Sequence, residues 1–437
     1  MIEFTANNCM KLLKIYNQNF EFYALILILL SLFSVIFEYF TSIKTLSELF
    51  GVIIFLFILL NTKKNFKIFT LSEIVIFIML SLYLLFYLTL NITENTLYKT
   101  SSLLFSISFF FLSKYLINIK NELVFYVKKI TSLIILTLLL INSYKFGIGE
   151  YYFLDIYISI PVSIFSMAIL IYEFVTKKFD HESILHLIFI LHSSQIKVVV
   201  LLIITFSFLI LVYLNDKIKL KNYLKFLFII LFYFLLSYSF SSSSLTNKDS
   251  IYFVNIKNIF LKSKQLIIGN NQNPERLPTI GLLTIKQYNY EKNLEELSIE
   301  TEGPAYSSIN NRLTEWQVAK NKIKENKSLI KLTGLEDSTN YYHNIFYGII
   351  VNYGYFGITI LIIFIFLILF NIRKDIFQFF LYKIMSERVI FLIIAVNILI
   401  FYTFSLPYYH SKFLTLFLGL AYFDKTKNQD IFDELRQ

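Results

Sequence analysis

The chain has one cysteine, Cys9, among 437 residues. A single thiol excludes an intramolecular disulfide and a cysteine-based metal site. Charge is scarce too: 16% of residues are Asp, Glu, Lys or Arg, against roughly 25% in soluble domains. Among the cations arginine is rare, 5 against 35 lysines. There are five prolines; three of them, Pro274, Pro278 and Pro304, share one stretch with the only tryptophan, Trp316. Several signatures of catalysis are missing. No Walker A loop, Rossmann glycine fingerprint or HExxH occurs. No Asp-x-Asp suggests a metal-bound nucleotide sugar, and Glu336-Asp337 is an isolated acidic pair. Any reaction outside a membrane is therefore expected to use a donor that is already activated, with neither ATP nor nucleotide.

What the chain has in abundance is apolar sequence: 56% of residues are hydrophobic and 18% aromatic. Apolar runs near twenty residues recur, the length that crosses about 30 Å of hydrocarbon. A β-barrel would instead show short alternating segments. The sequence predicts an all-α polytopic membrane protein with about twelve transmembrane helices and one large periplasmic loop before the tenth. The predicted spans are Phe22–Phe40, Leu46–Leu60, Leu71–Leu90, Leu97–Ile117, Ile130–Tyr144 and Tyr152–Val175, then Ser183–Leu191, Ile196–Leu214, Tyr223–Phe240, Asn344–Phe370, Val389–Leu406 and Phe413–Phe423. The seventh is shortest, and begins either near Lys178 or as a re-entrant piece. The polar start of the chain is too long for a secretory signal, so the first helix is expected to remain as a span.

The distribution of positive charge tests this layout. With the N-terminus in the cytoplasm, predicted cytoplasmic segments carry 22 of the 40 Lys and Arg residues and the short outer loops carry 5. The other 13 lie in one long segment, Ser241–Tyr342. Topology thus accounts for the formal charge of +10 without a nucleic-acid partner. The division is residues 1–240 (spans 1–9), 241–342 (outer loop), 343–424 (spans 10–12) and 425–437 (cytoplasmic tail), with both termini inside.

The outer loop concentrates the candidate chemistry. Ile309, Leu313, Trp316 and Ile323 recur at helical spacing, with Lys320, Lys322 and Lys324 between them. This predicts an amphipathic helix at the membrane interface. Only Arg276 and Arg312 among the arginines fall outside, and a guanidinium suits bidentate phosphate binding in a way an ammonium does not. Arg312 lies one turn before Trp316, on the same helix face. It reads as a clamp on a lipid pyrophosphate or as an ordinary interfacial cation. His343, in Tyr341-Tyr342-His343-Asn344, exchanges protons near neutrality. It reads as a general base, as a partner to a sugar hydroxyl, or as part of a polar cap where Asn344 is a favoured N-cap. Lys197 at one outer turn, and His410 with Lys412 at another, read as intramembrane functional cations or as snorkelling side chains. Gly348, Gly354 and Gly357 read as close-packing positions or as a locally loosened helix end, with packing preferred. His181 and His186 fall towards the cytoplasmic side and are expected to have no role.

In order along the chain, Arg312, Trp316, Gly334, His343-Asn344, Gly354 and Gly357 form a pattern that resembles the O-antigen polymerase and ligase family. The layout of spans around a large outer loop is similar to that family over the whole chain; the motif covers about fifty residues. The resemblance implies glycan transfer from undecaprenyl pyrophosphate at the periplasmic face of a bacterial inner membrane, without a metal. Donor and acceptor would be lipid-linked oligosaccharides, membrane lipid would surround the site, and a chain-length regulator would be a partner. Carried over by motif, Arg312 and His343 would be catalytic, with Arg312 stabilising the leaving pyrophosphate and His343 orienting or deprotonating the acceptor hydroxyl. Arg276, Trp316, Tyr342, Asn344, Lys197 and His410 would contact pyrophosphate or glycan. The family's further basic residue follows a serine; the nearest match here is Ser193-Ser194-Gln195-Ile196-Lys197, with Lys displaced from Ser. The product would be O-antigen or capsular polysaccharide. A ligase passing finished glycan to lipid A core or protein is the nearest alternative. A flippase is a rival of another class, but no repeated halves are visible.

Overall fold

The computed structural model describes residues 25–30, 53, 73, 75, 78–79, 82, 106–114, 116, 120–146, 156–176, 179–192, 196–213, 217–242, 316, 318–324, 345–403 and 411–423. Among them the regular structure is helical throughout, with no strand. Eight helices are well delimited: α1 (Lys120–Phe146), α2 (Ile156–Thr176), α3 (His181–His192), α4 (Ile196–Val212), α5 (Lys217–Ser242), α6 (Ile345–Tyr382), α7 (Glu387–Thr403) and α8 (Ser411–Tyr422). A shorter helical run covers 106–114. Two stretches are long and apolar enough to cross a bilayer, Leu123–Leu140 in α1 and Phe346–Tyr382 in α6. In the most apolar part of α6 only 11% of residues are buried within the protein, so much of its apolar surface is left uncovered.

The chain divides into two compact units, Met1–Tyr233 with Lys327–Gln437, and Phe234–Asn326. In the first, α2 packs on α1, α3, α4 and α7, and α7 packs on α6 and α8. Aromatic rings fill the core. Phe165 meets Phe413 edge-on at 4.7 Å, Phe391 lies 5.9 Å from Tyr172, and Phe174 stacks on Phe206 at 4.1 Å. Offset and edge-on pairs of this kind add specificity to area burial. Two exposed helical hydroxyls are satisfied within their own helices, Thr137 by the Leu133 carbonyl and Thr359 by the Tyr355 carbonyl. Lipid offers no such partner. In the second unit, residues 316 and 318–324 are helical, with Ala319 buried and Lys320 and Lys324 exposed. Of the predicted amphipathic helix, Trp316 and Ile323 are helical and half-buried, as is Lys322, while Ile309 and Leu313 lie outside the described residues.

Several boundaries differ from expectation. α1 begins at Lys120, ahead of the predicted Ile130, because Lys128 is paired inside the protein and does not end the helix. α6 runs on through Arg373, Lys374 and Asp375 to Tyr382, past the predicted Phe370. The seventh predicted span is a helix of only 12 residues; it lies among α1, α2 and α4, so it need not match a lipid thickness. The glycines also differ. Gly348 is buried, yet a methyl added there would meet no described atom within 4 Å, so the position does not require glycine for space. Gly354 instead breaks α6 with φ 68° and ψ −170°, a region essentially reserved for glycine. Next to this break, a methyl on Gly357 would collide with the Tyr353 side chain of the same helix.

Candidate functional site

Polar side chains within the first unit gather where α1, α2 and α3 meet. Asp180 opens α3 as its N-cap: its Oδ1 accepts from the Ser183 amide at 2.9 Å, and the Asp180 amide donates back to Ser183 Oγ at 3.2 Å. This reciprocal arrangement satisfies amides that a helix start leaves open. Lys128 of α1 reaches across to Glu173 of α2 at 2.5 Å and to Asp180 at 2.6 Å. Ser183 also donates to the second oxygen of Glu173. Lys129 pairs with Glu182 in a more exposed position. Asp180 lies at the edge of the cluster. Burial raises its carboxyl pKa, but the Lys128 ammonium and the Ser183 amide and hydroxyl outweigh that and hold it at about 2.

One turn further in, His186 of α3 is fully buried. Its ring nitrogens lie 3.1 Å from Ser132 Oγ of α1 and 2.8 Å from Ser166 Oγ of α2. Each nitrogen of a neutral imidazole has one hydrogen-bonding role, so two hydroxyls suffice. His186 therefore pins three helices together, where the sequence offered no role. On the α5 side, Lys225 donates to the Phe179 carbonyl at 2.8 Å.

Arg388 near the start of α7 performs a comparable task for α8. Its Nε and Nη2 donate to the Ala421 and Tyr422 carbonyls at 2.9 Å, and its Nη1 pairs with Asp375 of α6 at 2.9 Å. Asn371 adds a bond to the Tyr422 carbonyl. A guanidinium here meets open carbonyls and the negative end of the helix dipole together. Buried Lys114 pairs with Glu73 at 2.5 Å and lies 5.0 Å from the Phe423 ring. At mid-helix depth Thr205 donates to Asn397 at 2.8 Å, joining α4 to α7.

Contacts put these ties at one end of the bundle, since Tyr172, next to Glu173, meets Phe391, one turn from Arg388. The charges in them face one another rather than an open cavity. The cavity between α1, α2, α7 and α8 is apolar, lined by Val127, Phe165, Tyr172, Phe391 and Phe417 among others. This end of the molecule is a structural clamp, and no group of three metal-ligating side chains occurs among the described residues.

The residues singled out by sequence are mostly elsewhere. Arg276, Arg312, Tyr342, His343, Asn344 and His410, with Gly334 and Glu336-Asp337, lie outside the described residues. Lys197 is half-buried in the first turn of α4, at the end opposite the clamp. Trp316 is half-buried on its helical segment in the second unit. Sequence reading passed over Glu173 and Glu73, although each lies within a predicted span, Glu73 as its only acid. An acid at that depth calls for a cation, and only the fold supplies which one. No family model matches the chain, and neither a curated protein nor a solved structure was found to match it.

Proposed function

We propose that the chain is a glycan polymerase of the inner membrane of a bacterium, extending lipid-linked oligosaccharide repeat units at the outer face. The observation that carries this is the order Arg312, Trp316, Gly334, His343-Asn344, Gly354, Gly357 at the end of the one long hydrophilic excursion. On this reading twelve spans surround a periplasmic loop, residues 241–342. Three features support it. Residues 316 and 318–324 form a helix with exposed lysines. Gly354 occupies a backbone conformation that needs glycine. The pairing of Lys128 with Glu173, and of His186 with Ser132 and Ser166, runs α1 against α2 and α2 against α3.

The chemistry is a single displacement. The acceptor sugar hydroxyl attacks the anomeric carbon of the donor, and its proton passes to His343. The bond from that carbon to the pyrophosphate oxygen breaks, and undecaprenyl pyrophosphate leaves with its charge met by Arg312. Fixed cations in a water-poor cleft stabilise developing negative charge without reorganisation. Holding two lipid-anchored reactants side by side supplies orientation. No metal or cofactor takes part.

The test is a gel of surface polysaccharide from a deletion strain and from strains carrying Arg312→Ala or His343→Ala. A polymerase predicts a single repeat unit on the surface lipid in all three, with the variant proteins still inserted. Complete absence of glycan on the surface lipid identifies a ligase instead. Long chains from either variant would remove both residues from the site.

A further inference from the structure

We infer that the corner between α6 and α7, with the adjoining start of α5, is a binding surface for acidic phospholipid headgroups. The inference rests on α6 spanning a bilayer and is independent of the glycan chemistry. α6 does not stop where α8 does. The contacts of Asp375 with Arg388, and of Arg388 with the end of α8, set the level of the bundle end. Past Asp375, α6 continues for seven residues to Tyr382, about 10 Å at helical rise. A headgroup layer is of similar depth, roughly 5–8 Å on each side of the hydrocarbon.

The overhang is apolar and exposed. Phe377, Phe380, Leu381, Tyr382 and Ile384 are each 57–67% exposed. It is also basic: Arg373, Lys374 and Lys383 are exposed on the same segment. Phe379 on the inner side holds the overhang against the bundle, 6.3 Å from Phe208 and 6.2 Å from Tyr213. Tyr213 in turn lies under the Lys219 ammonium at 3.8 Å, which brings the start of α5 and exposed Lys221 to the same corner. The nearest acid on α6, Asp375, is engaged by Arg388, and Glu387 is the one exposed acid in the described turn. Positive charge is therefore in excess.

Water would leave the aromatic rings uncovered, and hydrocarbon would leave the lysines unsolvated. A headgroup layer accommodates both. Zwitterionic headgroups would leave the excess charge unmatched, whereas acidic ones match it. Each cation near an anionic leaflet contributes about fivefold in affinity.

The test uses the purified full chain in detergent, with bound lipid measured by native mass spectrometry. Phosphatidylglycerol, phosphatidylcholine and inorganic phosphate are titrated in turn, against wild type and Lys221→Gln/Lys374→Gln/Lys383→Gln. Wild type should prefer phosphatidylglycerol by about a hundredfold, the product of three such cations. The triple variant should bind the two lipids within about threefold, and a lipid-free thermal melt matching wild type shows that it is folded. Equal binding of both lipids by wild type overturns the inference. So does an undiminished preference in the variant, or displacement of phosphatidylglycerol by millimolar phosphate.

Discussion

Lys128 illustrates how a single charge is held inside an apolar helix bundle. Its side chain is 6% exposed and its ammonium touches two carboxylates, so removing it leaves Glu173 buried with only Ser183 as partner. Breaking a buried pair from one side costs about 3–5 kcal/mol, while replacing both partners by apolar groups is often neutral. Lys128→Met should therefore destabilise the chain strongly in detergent unfolding assays. Lys128→Met/Glu173→Leu should recover a good part of the loss. Asp180 gives a pH signature with a defined sign. Its folded pKa is lowered from 3.8 to about 2, so its contribution is fully present above about pH 4 and fades as pH falls towards 2. Half its side chain is exposed, so the effect is modest and weakened by salt. An unfolding series from pH 5 to pH 2 should show a shallower acid decline for Asp180→Asn than for wild type.

Glycine separates two kinds of element design. At Gly354 the backbone itself requires glycine, and an L-residue there costs about 1–3 kcal/mol. Gly354→Ala should lower the melting temperature by straightening or straining α6, and on the proposed function it should also shorten the glycan. At Gly419 the constraint is space. An added methyl would lie 2.6 Å from the Phe110 carbonyl oxygen and against Ser113, so α8 would be pushed off the 106–114 helix. Overpacking of this sort costs about 1–3 kcal/mol, and Gly419→Ala should reduce thermal stability without altering the helix content seen by circular dichroism. The glycine motif was visible in the sequence, and at Gly354 the loosened-helix reading, not the preferred close packing, matches the break in α6. Spacing alone does not distinguish close packing from a left-handed backbone.

For the molecule as a whole, the proposed topology makes a direct prediction about sidedness. Cys9 is the only thiol, so Cys9→Ser provides a background for single-cysteine labelling. A cysteine at Lys320 should react with a membrane-impermeant maleimide in intact spheroplasts, and one at Lys374 only after lysis. Labelling of both from the same side would refute the twelve-span layout. Much of the architecture was legible beforehand, since α2, α4, α7 and α8 fall close to the predicted apolar runs. The over-long α6 and the early start of α1 were not, because a hydropathy run ends at charges whether or not the helix does. The residues proposed to act on glycan were legible only as an ordered pattern, and no described contact joins them.

Composition and the spacing of apolar runs by themselves determined the helical class that the described residues show, since long apolar runs satisfy their own backbone polar atoms most readily within helices. Motif order by itself selected Arg312 and His343. Tertiary structure alone decided the pairings: Lys128 with Glu173 and Asp180, His186 between two serines, and Arg388 on the end of α8. Partners brought together from different helices depend on packing angles and depth, and neither is written in local sequence.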